Sequence, residues 1–426
     1  MPSADARRWL LVFAAAIGFG CSDGGSADPD APDAPDASGD VAQDGSRVDT
    51  ADAVAPSDAG LDVALSDAGP DVARDGAPTD GPSDAGPPGL LYGANIHSGG
   101  GSAAASQKIA DLLHARNLTT VRMDFGTGAD PLPWRDQVTR LRAYGIKAET
   151  TLFTTYQYDK SCSLDLTKTQ KDAYTQTVAM VEAIDDLVTD YELMNEVSLR
   201  PELQAEVPTN SKAPASAYSG KPCYAVKAAV LVGMYQAIRD TAKKSGLPLR
   251  IIAGTVGRDW GYLDFLRLQG IDFDVVGYHI YPSFPQAAWD TDTWYGPSGL
   301  FTELGRYARP VRINEFHCGE IYDPAFENKT GGKLTEQCFK SVTRYLFEIL
   351  AEKRAPIESV HFYEMFDEPT KTAPENHFGI WYDPSSAKVS AWLASAFAGG
   401  TLSASEQAEL TSRGLLTDAQ ILAFRK

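Results

Sequence analysis

Between residues 89 and 398, short apolar runs alternate with longer stretches whose apolar positions recur at helical spacing. The runs at 90–96, 119–124, 146–153, 187–195, 249–254, 273–281, 311–314 and 359–363 are rich in β-branched and aromatic residues and read as strands. The stretches at 104–116, 134–144, 168–184, 224–245, 261–268, 298–307, 334–353 and 387–397 read as helices with one apolar face. Repeated strand-then-helix units of this kind predict an α/β protein, a single (β/α)8 TIM barrel over residues 89–398. A doubly wound open sheet is the rival. It wants a G-x-G-x-x-G turn after the first strand, and the glycines at 99–101 lack that order. Beyond the barrel, residues 399–426 carry Leu410, Leu415, Leu416, Ile421 and Phe424 among polar positions. They suit a helical extension packed outside the barrel or a partly ordered tail, and no function is assigned to them.

The pattern fails completely before residue 89. Residues 1–21 hold Arg7 and Arg8, an apolar run at 9–17 and small residues before Cys21, the make-up of a secretory signal rather than a spanning helix. Residues 22–88 contain no aromatic side chain and repeat Ser-Asp-Ala-Gly from Ser57, Ser66 and Ser83. Their 16 Asp face only Arg47 and Arg74. Such a segment cannot bury enough apolar surface to offset its ordering entropy, so a disordered acidic linker is expected. It also accounts for most of the net charge of −19, leaving −6 for residues 89–426. That balance argues against a nucleic-acid partner. Four cysteines remain after Cys21, which allow three pairings. In an exported chain, Cys162 with Cys223 and Cys318 with Cys338 is the favoured set, stapling loops after the third and fourth strands and after the seventh. With no C-x-x-C and only six scattered histidines, neither a metal nor another cofactor is expected.

Candidate chemistry lies where strands end. Tyr191-Glu192-Leu193-Met194-Asn195-Glu196 and Val311-Arg312-Ile313-Asn314-Glu315-Phe316 each place a glutamate at the close of a strand. The C-terminal rim of such a barrel is where its active sites are built, and two carboxyls facing one glycosidic bond are what glycoside hydrolysis needs. Arg122, His279 and Tyr281 also fall at strand ends. The plainer reading of a lone strand-end glutamate is a solvated loop carboxylate; of Arg122, a structural ion pair; of His279, a satisfied core histidine. Glu192, Glu320, Glu364, Asp367 and Glu368 are rival carboxylates. Glu192 shares the pleat parity of Glu196, but an extended strand would set it ~13 Å deeper. The tryptophans at 289 and 294, with Tyr295, offer flat faces suited to sugar stacking.

These motifs resemble those of the retaining (β/α)8 glycoside hydrolases of the cellulase and β-xylosidase-like superfamily. Asn195-Glu196 resembles its strand-four acid/base motif and Glu315 its strand-seven nucleophile. Gly277-Tyr278-His279-Ile280-Tyr281-Pro282, Val121-Arg122-Met123-Asp124 and His377-Phe378-Gly379-Ile380-Trp381 resemble its strand-six, strand-two and closing segments. Val197 stands where the family usually has Pro, and the eighth strand lacks the common Trp, leaving Tyr363 or Trp381 to floor the sugar site. The resemblance implies double displacement on β-linked glycans without cofactor. In it Glu196 acts as acid/base, Glu315 is held ionised by Arg122 and Tyr281, and Asn195 meets the sugar 2-hydroxyl. A barrel that has lost turnover and only binds carbohydrate is the alternative. Cys21 resembles a bacterial lipoprotein processing site, which implies a chain displayed from a membrane by a lipid, or secreted if Cys21 is not lipidated; a monomer is expected.

Overall fold

All eight apolar runs become strands, and the strands close on themselves. In this computed structural model the described residues are 89–97, 101–281, 295–296, 298–317, 333–371 and 375–425. The signal, the linker, Cys21, Cys318 and the tryptophans at 289 and 294 lie outside them. The barrel strands are β1 (Leu91–Ile96), β2 (Thr120–Gly126), β3 (Lys147–Phe153), β4 (Asp190–Leu193), β5 (Arg250–Val256), β6 (Val275–Ile280), β7 (Val311–Phe316) and β8 (Ile357–Phe362). Each pairs in parallel with the next and β8 returns to β1, giving a closed barrel. Between them run α1 (Ala103–Ala115), α2 (Pro131–Ala143), α3 (Leu166–Glu182), α4 (Pro201–Glu206), α5 (Pro222–Ser245), α6 (Trp260–Leu268), α7 (Leu300–Gly305) and α8 (Lys333–Ala351). Local chemistry sets their starts: Ser102, Asp130 and Asp165 cap α1, α2 and α3 through side-chain oxygens, and prolines open α4 and α5.

Three features depart from the sequence pattern. The fourth strand stops at Leu193 instead of reaching Asn195, because Met194 and Glu196 take left-handed φ values of 61° and 45°. The loop expected between β4 and α5 contains α4 and short 3-10 turns at Val197–Leu199 and Ala215–Ala217. After β8 comes an antiparallel pair, β9 (Trp381–Asp383) and β10 (Ser386–Ala387), before α9 (Val389–Phe397). The tail is a helical pair, α10 (Ala404–Ser412) and α11 (Asp418–Phe424), each begun by a capping box. Leu410, Leu415, Leu416 and Ile421 are buried, and Phe424 stacks on Phe397 of α9 at 4.7 Å. Among the described residues no helix is long and apolar enough to cross a membrane.

A layer of charge crosses the lower barrel. Arg312 of β7 donates from Nη1 to Glu149 of β3 at 2.5 Å and from Nε to Glu358 of β8 at 3.2 Å. Arg250 of β5 ties Asp190 to Glu358. His361 accepts or donates at Thr120 Oγ1, 3.1 Å away, and burial with nearby Arg312 keeps its ring neutral. Higher up, Gly254 leaves room for Glu192: a Cβ there would stand 2.7 Å from Glu192 Oε1. The interior therefore holds polar side chains where many barrels hold aliphatic ones.

Burial raises the Glu149 carboxyl to about 7, against the pull of Arg312. A folded-state value above the unfolded one means the neutral acid favours folding, so this contribution is present below about pH 4.5 and lost as pH rises through about 7. Glu149→Gln should therefore gain on the wild type by up to about 3 kcal/mol across that window in denaturant unfolding. A gap that moves toward the wild type with rising pH would show that the ionised Glu149–Arg312 pair dominates.

Candidate active site

One arginine organises the upper barrel. Arg122 of β2, 2% exposed, donates from Nε to Glu192 of β4 at 2.6 Å, from Nη1 to Glu315 of β7 at 3.0 Å and from Nη2 to Asn195 Oδ1 at 2.8 Å. Burial by itself would weaken the guanidinium's hold on its proton, but Glu192 and Glu315 more than reverse this. Glu315 also accepts from the Tyr281 hydroxyl at 2.5 Å. Burial and the Glu315 charge keep that phenol far above its usual range, so it remains a donor. Both carboxylate oxygens of Glu315 are thus held by charge-assisted bonds.

A register break aims this carboxylate. Tyr278 of β6 sits opposite Ile313, but the next residue, His279, sits opposite Glu315, so Asn314 is an extra residue on β7. Bulges of this kind redirect the side chain that follows. The Asn314 carbonyl accepts from Asn95 Nδ2 of β1 at 3.0 Å. His279 Nδ1 then lies 2.9 Å from Glu196 Oε1 and 3.3 Å from Glu315 Oε2. Burial disfavours a charged ring, yet Glu315 and Glu196 together raise its affinity for protons. An unprotonated nitrogen and a carboxylate oxygen cannot approach to 2.9 Å without repulsion, so one proton lies on the Glu196–His279 pair.

Glu196 does not sit on a strand. It closes a left-handed turn whose Asn195 carbonyl accepts from Gln157 Nε2 at 2.9 Å and from Arg200 Nη2 at 3.4 Å. Gln157 comes from the β3–α3 loop, a residue that sequence reasoning had no reason to single out. That loop is joined to α5 by the Cys162–Cys223 disulfide. Cys338 is also disulfide-bonded; the partner expected for it, Cys318, lies outside the described residues.

The structure therefore gathers Arg122, Asn195, Glu196, His279, Tyr281 and Glu315 at one rim. Tyr363 joins them: its ring is 6.3 Å from that of Tyr281 and 5.3 Å from that of His97, and its hydroxyl donates to Glu375 at 2.7 Å. Trp381 does not. It is 1% exposed and packed against Phe366, so it offers no face to a ligand, and the sugar-floor role expected for it is corrected. Glu192, expected below Glu196, is fully buried, and the long Arg122 side chain connects it to Glu315.

A second polar group adjoins the first. His97, just past β1, contacts Asp124 of β2 at 2.9 Å and Glu364 at 3.0 Å, and Lys371 reaches Glu364, Glu368 and Glu375 within 3.3 Å. Burial alone would lower the His97 pKa, but hydrogen bonds that the ring donates to Asp124 and Glu364 raise it to about 10. The strand-end rule that picked Glu315 would have found His97 also. Among the described residues two sets have metal-ligand spacing, His97 with Glu364 and Glu368, and Glu196 with His279 and Glu315. In both, His–carboxylate contacts already occupy the donor atoms, and Lys371 supplies the cation of the first.

The sequence matches no family model, and no curated protein is similar to it. Among solved structures it is similar to a beta-glucosidase from Thermotoga maritima in complex with glucoimidazole, at 10% identity and a TM-score of 0.43 over 77% of this chain and 99% of that one. It is similar to the GH53 catalytic domain of Ignisphaera aggregans at 13% identity and a TM-score of 0.42, over 66% and 86%. A rice beta-glucosidase mutant in a covalent complex with Glc is similar at 10% identity and a TM-score of 0.48, over 72% and 97%. The barrel and its site rest on this chain's own strand order and contacts.

Arg122→Met removes the only cation bonded to both Glu192 and Glu315 among the described residues. Leaving buried carboxylates uncompensated should cost about 3–5 kcal/mol in denaturant unfolding. Adding Glu192→Gln should recover part of that loss; a double variant no better than the single one would place the cost elsewhere.

Proposed function

We propose that the chain is a retaining glycoside hydrolase that cleaves β-glycosidic bonds of a polysaccharide or oligosaccharide, with Glu315 as nucleophile and Glu196 as acid/base. The approach of the two carboxyls carries this reading. One oxygen of each and a His279 ring nitrogen lie within 4.8 Å of one another. That closeness suits double displacement, which wants carboxyls ~5–5.5 Å apart, better than inversion, which wants ~6.5–9.5 Å and a water between them.

In the first step a Glu315 oxygen attacks the anomeric carbon, the bond to the leaving oxygen breaks, and that oxygen takes a proton from the Glu196 carboxyl, leaving Glu196 a carboxylate. In the second, water attacks the same carbon, Glu196 accepts its proton, and Glu315 departs as carboxylate. Arg122 and Tyr281 fix the two Glu315 oxygens by hydrogen bonds, so little reorganisation accompanies the loss and return of its charge. Asn195, fixed by Arg122 through its Oδ1, has its amide nitrogen left for a sugar hydroxyl. A signal at residues 1–21, lipid at Cys21 and the acidic linker would display the barrel outside the inner membrane.

The test is turnover of aryl β-glycosides and of β-glucan, xylan, mannan and galactan. Glu196→Gln should lower kcat/KM on unactivated substrates by roughly 10²–10⁴-fold. Glu315→Gln should abolish turnover, and azide added to Glu315→Gly should yield the α-glycosyl azide. Activity that survives both substitutions would exclude these two carboxyls. A wild type that binds these glycans without turning them over would be a carbohydrate-binding protein.

A further inference from the structure

The β3–α3 loop is fastened in a way that leaves one aromatic side chain outside. Lys227 of α5 is only 2% exposed, and its ammonium donates to the carbonyls of Tyr156 and Asp159 at 2.5 and 2.8 Å. Those two carbonyls bracket Gln157 and Tyr158. Burial lowers the Lys227 pKa to about 8, so holding the loop this way carries a real desolvation cost. The Cys162–Cys223 disulfide closes the same loop onto the start of α5. Gln157 turns inward to the Asn195 carbonyl. Tyr158 turns outward, 61% exposed, with the Arg200 guanidinium 4.7 Å from its ring centre. Arg200 in turn touches the Asn195 carbonyl. An aromatic face, rigid at its backbone and backed by a cation, therefore stands beside the turn that carries Glu196.

We propose that Tyr158 and Arg200 form a leaving-group subsite that stacks a second sugar, so the substrate is a glycan chain rather than a glycoside with a small aglycone. The inference rests on the glycosidase reading. The acid must reach the departing oxygen, so the leaving group lies on the side of Glu196, which is where the Tyr158 ring stands. With Arg200 on one face, the exposed remainder of the ring offers an apolar surface to the C–H face of a pyranose. Because the backbone is already fixed, little ordering entropy is lost when the sugar stacks.

The test compares the full chain with Tyr158→Ala and Tyr158→Phe. The readout is kcat/KM on cello-, xylo- and mannotetraose divided by kcat/KM on the 4-nitrophenyl β-glycoside of the same sugar. The ratio should fall about tenfold in Tyr158→Ala and return to within about twofold in Tyr158→Phe, which keeps the ring. An unchanged ratio in an active Tyr158→Ala enzyme would overturn the subsite and leave the glycosidase reading intact. If the wild type turns over none of these substrates and none of the polymers, the glycosidase reading fails and the leaving-group subsite with it, whereas calorimetric binding of a tetraose that is weaker to Tyr158→Ala than to wild type would still mark the ring as a sugar-stacking face.

Discussion

A buried guanidinium cannot stand in a protein interior without partners, and Arg122 takes its partners from three other places in the chain. Its contacts with Glu192, Asn195 and Glu315 join β2 to β4, to the turn after β4 and to β7. Any strand pairing that separated these would bury uncompensated charge at a cost of several kcal/mol. The same contacts orient Glu315, so what keeps the upper barrel electrostatically satisfied also fixes the direction of this carboxylate. Below it, Arg312 repeats the arrangement with Glu149, Glu358 and Asp190.

The two carboxyls are supported by different means. Glu315 lies on a barrel strand, between fixed donors, behind a bulge that points it at His279. Glu196 lies on a left-handed turn outside the strand, held through its backbone neighbour by Gln157 and Arg200 and beyond them by Lys227 and a disulfide.

Much of this was legible in the chain because it depends on local periodicity. Strand and helix alternation needs only near neighbours in sequence, and it predicted the closed barrel. Strand-end placement follows from the alternation, so Arg122, Glu196, His279, Tyr281 and Glu315 could be proposed as neighbours before any coordinates. Trp381 shows the limit: its position after β8 suggested a sugar floor, but whether a ring faces a ligand or Phe366 depends on how the β9–β10 pair folds back. Lys227 and Gln157 are illegible for the same reason, since each acts on a backbone carbonyl tens of residues away.

Glu192 marks the boundary most clearly. Periodicity gives its parity on a strand running to Asn195, whereas the chain leaves the strand after Leu193 and bends at Met194. By itself the sequence determined which residues could be charged, which stretches would be strands, and which ends of those strands would share a rim. Only the tertiary structure decided which charges compensate one another, because that follows from distances of about 3 Å between strands. A bulge at Asn314 or a turn at Met194 changes those distances without altering the hydrophobic pattern at all.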